Sequence, residues 1–139
     1  MSGLSIAEAA ERTGLSTDTL RYYENDGLML RPVERSTTGH RRYSEDDLTW
    51  LNLVTCLRAT GMPIREIRQY AALVRSGDGT EQERLDLLRA HRLQVLAQLA
   101  EVQEHLGAID RKIGIYTDKL DSRRAALDLE RTPRDSVEA

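Results

Sequence analysis

The chain has 139 residues, 31% charged and 40% hydrophobic, with no Phe, one Cys and a formal net charge of −3. Its apolar runs are too short for a membrane span, its opening MSGLSIAEAA lacks the basic and apolar regions of a secretory leader, and a lone cysteine excludes an internal disulfide framework. A protein of the reducing cytoplasm, away from membranes, is expected.

Charge is not spread evenly. Residues 1–75 hold ten Arg and no Lys against ten Asp and Glu, whereas residues 76–139 hold ten basic against thirteen acidic residues. Global charge therefore lends no support to nucleic-acid binding, and any such role rests on local clustering.

Ser5-Ile6-Ala7-Glu8 has the spacing of a capping box, which predicts a helix starting there with Ile6, Ala9 and Ala10 as its apolar stripe. Gly14 ends it and Ser16 caps a second helix, in which Thr19, Leu20 and Tyr23 share an inward face. Thr17, Asp18, Arg21 and Tyr22 share the outward face. Two short helices joined by a Gly-containing turn suit a helix-turn-helix, a weak signal alone. After Gly27, the segment Leu28–Tyr43 contains Pro32 and Ser36-Thr37-Thr38-Gly39, which predicts two short strands around a turn. Ser44-Glu45-Asp46-Asp47 reads as the next helix N-terminus, with acids on the positive end of its dipole. Leu48, Leu51, Val54 and Leu57 carry that helix to Thr60, and Gly61-Met62-Pro63 breaks it. A fourth helix follows with Ile64, Ile67, Ala71 and Val74 at helical spacing.

Ser76-Gly77-Asp78-Gly79 marks the expected boundary between a head, residues 4–75, and a dimerisation helix, residues 80–121. There the pattern becomes heptad. Leu85, Arg92, Leu99, Leu106, Ile113 and Leu120 occupy position a; Leu88, Val95, Val102, Ile109 and Tyr116 occupy d. Only Arg92 interrupts this seam, either to specify register or to snorkel at a splayed end. A helix of some 40 residues would run for roughly 60 Å, so the seam needs a second helix and the chain is expected to form a homodimer. Spacing does not choose between parallel and antiparallel pairing. Residues 122–139 are polar and are expected to fray. His91 and His105 sit on this helix fourteen residues apart, and both read as solvated.

The stretch from Ser16 to Ser44 says most about function. Arg21, Tyr22 and Tyr23 on a short helix run directly into a hairpin carrying Arg35, His40, Arg41, Arg42 and Tyr43. Arginine forks donate paired hydrogen bonds to phosphate, and tyrosine hydroxyls add further donors. A solvated charged face is the competing reading, ranked second because the basic residues gather on two adjoining elements.

The segments IAEAAERTGLSTDTLRYYENDGLM, GHRRYSEDDL and CLRATGMPIREIRQY, in this order, resemble the MerR family of bacterial transcription regulators. The likeness covers roughly residues 4–75 in sequence and extends through 120 in architecture. It implies a mostly helical fold: a winged helix-turn-helix head and a long coiled-coil helix forming an antiparallel homodimer. It also implies a palindromic promoter site whose spacer the dimer bends and untwists, so that RNA polymerase engages both promoter elements. Thr17, Asp18, Arg21 and Tyr22 would then face the major groove, with Tyr23 supporting the helix and touching the DNA backbone. Arg41, Arg42 and Tyr43 would hold phosphates from the wing, and Arg58 and Arg65 a further one. Packing at the wing base is an equal reading of Tyr43.

No cofactor or metal is implied. The metal-sensing branches use cysteines near the long helix and the loop after it, and no Cys follows position 56. The large effector domain of the drug-sensing branch is not expected either. Cys56, just before Gly61-Met62-Pro63, is similar in placement to the single-cysteine NmlR/AdhR-like subgroup, associated with aldehydes, electrophiles and nitrosative stress. The helix register sets it with Thr49, Asn52, Leu53, Ala59 and Thr60, beside Arg58, a setting that suits a reactive thiol. Sensor and packing residue stand as even alternatives. A coiled-coil interaction protein without DNA binding is the second function and an enzyme the third; a MerR-type regulator sensing a small ligand rather than a thiol modification is the alternative for the signal. An enzyme is not expected, since no catalytic motif accompanies Cys56.

Overall fold

The computed structural model describes residues 3–131. Five helices and one hairpin follow in the order α1 (Ile6–Thr13), α2 (Thr17–Asn25), β1 (Glu34–Arg35), β2 (Arg41–Arg42), α3 (Glu45–Ala59), α4 (Ile64–Ser76) and α5 (Glu81–Arg131). Local chemistry sets most of these limits. The Ser5 hydroxyl accepts from the Glu8 amide while the Glu8 carboxylate accepts from the Ser5 amide. Ser44 and Asp47 repeat the same exchange at the start of α3. Each such cap supplies about 1 kcal/mol by satisfying amides that the helix leaves open. Gly14 ends α1 in the left-handed region, where a Cβ would be strained.

The expected inward residues pack, except Thr19, whose hydroxyl pairs with that of Ser16 at the start of α2. Ala9, Leu20, Tyr23, Leu48, Leu51, Val54, Leu57, Ile67 and Ala71 form one core, with Leu28, Met29, Val33 and Met62 filling it from the connecting segments. Helix α1 packs on α2 and α3, and α3 packs on α4. The strands are two residues each and antiparallel, pairing Glu34 with Arg42 and Arg35 with Arg41. So short a ladder needs outside anchors. Leu4 and Tyr43 exchange both backbone hydrogen bonds at 2.8 Å. Trp50, stacked on Tyr70, donates its indole N–H to the Leu28 carbonyl at 2.7 Å. Arg75 donates to the carbonyls of Gly27 and Met29. The wing is thus tied to α3, α4 and the N-terminal segment.

Two compact units are present, one ending at Val95 and the other beginning at Leu96. The first takes in the opening turns of α5, past the break at Ser76–Gly79, because Leu87 and Leu88 pack on its core. His91 is buried there rather than solvated: Nε2 lies 2.7 Å from Thr60 Oγ1. Leu88, expected in the dimer seam, is therefore partly used within its own head.

In the second unit the seam lies on the surface of the single chain. Leu99, Leu106 and Ile113 at position a are 51%, 53% and 56% exposed; Val102, Ile109, Tyr116 and Leu120 are also exposed. The helix does not fray at 122 but continues to Arg131, and Leu127 extends the a stripe by one heptad. Ala125 and Ala126 favour that extension. The rest of the expected frayed tail, residues 132–139, lies outside the described residues. Among the described residues, no helix is long and apolar enough to cross a membrane, and no group of metal-binding side chains gathers.

Candidate nucleic-acid interface

Helix α2 presents its outward face as a row. Thr17 opens the helix half-buried, Asp18 and Arg21 follow exposed, and Tyr22 is 48% exposed. Asp18 Oδ1 accepts from Arg21 Nη1 at 3.2 Å, an i, i+3 pair that holds the guanidinium across the face. Tyr22 leans on the buried Tyr23, ring centroids 6.0 Å apart. Tyr23 is 6% exposed, so it supports the helix from within the core and offers no surface to a backbone phosphate.

The wing stands beside this row. Arg21, His40, Arg41 and Arg42, with Ser5, Ile6 and Gly39, wall a cavity of about 240 Å³ between α2 and the hairpin. Arg41 donates its Nε–H to Glu24 of α2, and Arg35 Nη2 donates to the other oxygen of the same carboxylate at 3.3 Å. Arg42 Nε is buried without a hydrogen-bond partner among the described residues. Arg42 faces Glu34 across the ladder.

Of the two sequence readings of Tyr43, the structure accords with packing and not with a phosphate contact. It is 1% exposed, and its hydroxyl is buried with no hydrogen-bond partner among the described residues. Strand alternation explains this: Tyr43 follows Arg42 and turns to the opposite face, onto the core. Burial pushes its phenol pKa up, and nearby Glu24 pushes it further, so the hydroxyl stays neutral.

Arg58 and Arg65 are exposed at the α3–α4 turn. Arg58 Nη1 donates to the Met62 carbonyl at 3.2 Å and so braces that turn. The sequence reading missed Arg68, one turn on from Arg65. Its Nε and Nη2 lie 2.8 and 2.6 Å from Asp26 Oδ2, at the end of α2, and it also meets Tyr22. The same-face spacing of Arg65 and Arg68 was the available signal. Cys56 is exposed on α3. Its carbonyl accepts from Thr60 Oγ1 at 2.8 Å, the hydroxyl that also meets His91.

A family model described as MerR HTH family regulatory protein matches residues 4–73, and one described as MerR, DNA binding matches 48–112. The chain belongs to the MerR family. It is 40% identical over 112 residues to an uncharacterised HTH-type transcriptional regulator of Haemophilus influenzae, covering 81% of this chain and 82% of that one. It is 37% identical over 93 residues to the HTH-type transcriptional regulator AdhR of Bacillus subtilis, covering 67% and 66%. Among solved structures it resembles HiNmlR, a MerR family regulator lacking the sensor domain, bound to promoter DNA. That match has TM-score 0.78 and 37% identity, and covers 84% of this chain and 87% of that one. A MerR family transcriptional regulator from Listeria monocytogenes matches with TM-score 0.79 and 35% identity, covering 93% and 99%. This MerR protein is a DNA-binding transcription regulator, and its relatives accord with the AdhR/NmlR-like subgroup.

Proposed function

We propose that this MerR regulator works as a homodimer on a palindromic promoter spacer, and that it controls transcription by bending that spacer so RNA polymerase can engage it. The observation that carries this is the convergence of Arg21, Arg41 and Arg42 around one cavity between helix and wing. Guanidinium forks gathered from two adjoining elements suit a phosphate oxygen as their shared acceptor. In this reading Thr17, Asp18, Arg21 and Tyr22 enter the major groove, while Arg41 and Arg42 hold the backbone. Arg58, Arg65 and Arg68 grip a flanking phosphate. The exposed apolar a and d residues of α5 supply the dimer interface, with the partner helix antiparallel.

The signal in this reading is an electrophile that modifies Cys56. The thiol is exposed, which alkylation requires. It sits one helical turn before Thr60, which contacts α5 through His91, so added bulk at this turn would reach the helix that carries the dimer. The likeness to AdhR and HiNmlR accords with the single-cysteine subgroup that the placement of Cys56 resembles. The test is gel-shift titration against DNA upstream of the protein's own gene, with wild type and Cys56→Ser, before and after treatment with a thiol-reactive aldehyde. Salt-sensitive binding whose affinity or DNA bend angle changes with aldehyde only in wild type is expected. An identical aldehyde response in Cys56→Ser removes the sensor.

A further inference from the structure

Glu24 sits between two wing arginines, Arg35 and Arg41, of which only Arg41 has a proposed phosphate contact. We infer that Glu24 is a positioning residue that assigns different tasks to Arg35 and Arg41, and thereby sets how well the protein tells its own site from other DNA. The inference rests on the proposed contact of the wing with phosphate.

Arg35 and Arg41 are direct cross-strand partners in the hairpin. Like charges placed opposite one another destabilise a ladder. Glu24 reaches up from α2 and cancels one of them: Oε1 accepts from Arg35 Nη2 at 3.3 Å, and Oε2 accepts from Arg41 Nε. The carboxylate is only 16% exposed, so this charge pairing is partly shielded from water.

The two arginines are held differently. Arg35 uses Nη2 on Glu24 and Nη1 on the Gly39 carbonyl at 3.1 Å. One N–H of each terminal nitrogen is held inside the protein, which makes Arg35 a brace across the wing turn. Arg41 gives Glu24 only its Nε–H, and its two terminal nitrogens make no hydrogen bond to the described residues. Its fork is thus oriented at the root and open at the tip, and Arg41 walls the cavity shared with Arg21 and Arg42. Arg41 is the phosphate ligand; Arg35 is not.

This arrangement separates two components of binding. Nonspecific affinity follows the number of cations free to displace counterions. Specific binding also needs each fork in its place, because phosphate contacts set the register of the base-reading helix. Glu24 lowers the first and secures the second. Without its charge, Arg35 is released toward phosphate and Arg41 loses its fixed root.

The test measures binding by fluorescence anisotropy over a range of NaCl, using the full chain and two duplexes. One duplex is selected by the wild type from a random pool, and the other is a scrambled version of it. For Glu24→Gln, scrambled-duplex affinity is expected to rise about three- to tenfold, with a log–log salt slope steeper by about one per protomer. The ratio of selected to scrambled affinity is expected to fall at least about tenfold. An unchanged ratio and slope, with or without a change in melting temperature, overturns the proposal. Should that variant not fold, Arg41→Gln and Arg35→Gln carry the test. The first is expected to flatten the slope by about one per protomer and the second to leave it as it was. Equal flattening by both overturns the division of tasks. A wild type that binds neither duplex removes the phosphate-contact reading of the wing, and this inference with it.

Discussion

Thr60 Oγ1 and His91 Nε2 lie 2.7 Å apart, joining the last turn of α3 to the opening turns of α5. The Thr60 hydroxyl has one hydrogen and two carbonyls to receive it, those of Cys56 at 2.8 Å and Leu57 at 3.2 Å. The hydroxyl and the His91 ring nitrogen share one hydrogen bond. His91 is buried, so loss of the Thr60 hydroxyl leaves a ring nitrogen away from water without this partner. Thr60→Val is expected to destabilise the protein by about 1–3 kcal/mol, and adding His91→Leu to recover part of that loss. Urea unfolding midpoints at fixed protein concentration check this; a single variant with a wild-type midpoint would show that the contact contributes nothing.

Tyr22 and Tyr43 give opposite expectations for the same change. The Tyr22 ring is half-exposed on the outward face of α2, whereas the Tyr43 hydroxyl is buried with no hydrogen-bond partner among the described residues. Tyr22→Phe is expected to weaken DNA binding several-fold, by about 1 kcal/mol. Tyr43→Phe is expected to leave DNA affinity unchanged and to raise stability slightly, because it removes a hydroxyl whose burial is uncompensated. Paired anisotropy titrations and thermal melts separate the two. A large loss of affinity in Tyr43→Phe would return that residue to the interface.

Leu99 occupies position a near the start of the second unit and is 51% exposed in the single chain. A carboxylate there would be buried unpaired in any dimer that uses this stripe. Leu99→Asp is expected to sediment as a monomer at concentrations where the wild type is a dimer. A dimer of undiminished affinity would place the interface elsewhere.

Acid should loosen two helix starts. Glu8 accepts from the Ser5 amide and hydroxyl region, which holds its carboxyl below the usual 4.5. The carboxyl of Glu81 is lowered too, by backbone amides of Glu81 and Gly79. Both bind fewer protons folded than unfolded. Their contribution is complete above about pH 4.5 and is lost as pH falls through the lowered folded value. Glu8→Gln is therefore expected to melt lower than wild type at pH 6, with the gap narrowing toward pH 3. A gap that is constant with pH would mean that the carboxylate charge plays no part.

Much of this protein is legible before folding is considered. The Ser5–Glu8 and Ser44–Asp47 caps, the Gly14 stop and the buried stripes of α1 to α4 depend on neighbours within four residues, so spacing alone reveals them. The outward row on α2 and the heptads of α5 are legible for the same reason. What the tertiary structure decided involves residues distant in the chain. Burial of Tyr43 follows from its pairing with Leu4 and its packing on the core. Burial of His91 follows from α5 meeting Thr60, thirty-one positions away. Glu24 between Arg35 and Arg41, and Arg68 on Asp26, are likewise contacts across eleven to forty-two positions. Periodicity assigns a side chain to a face of its own element. Which partner meets that face, and so whether a charge is free or already neutralised, is set only when the elements pack.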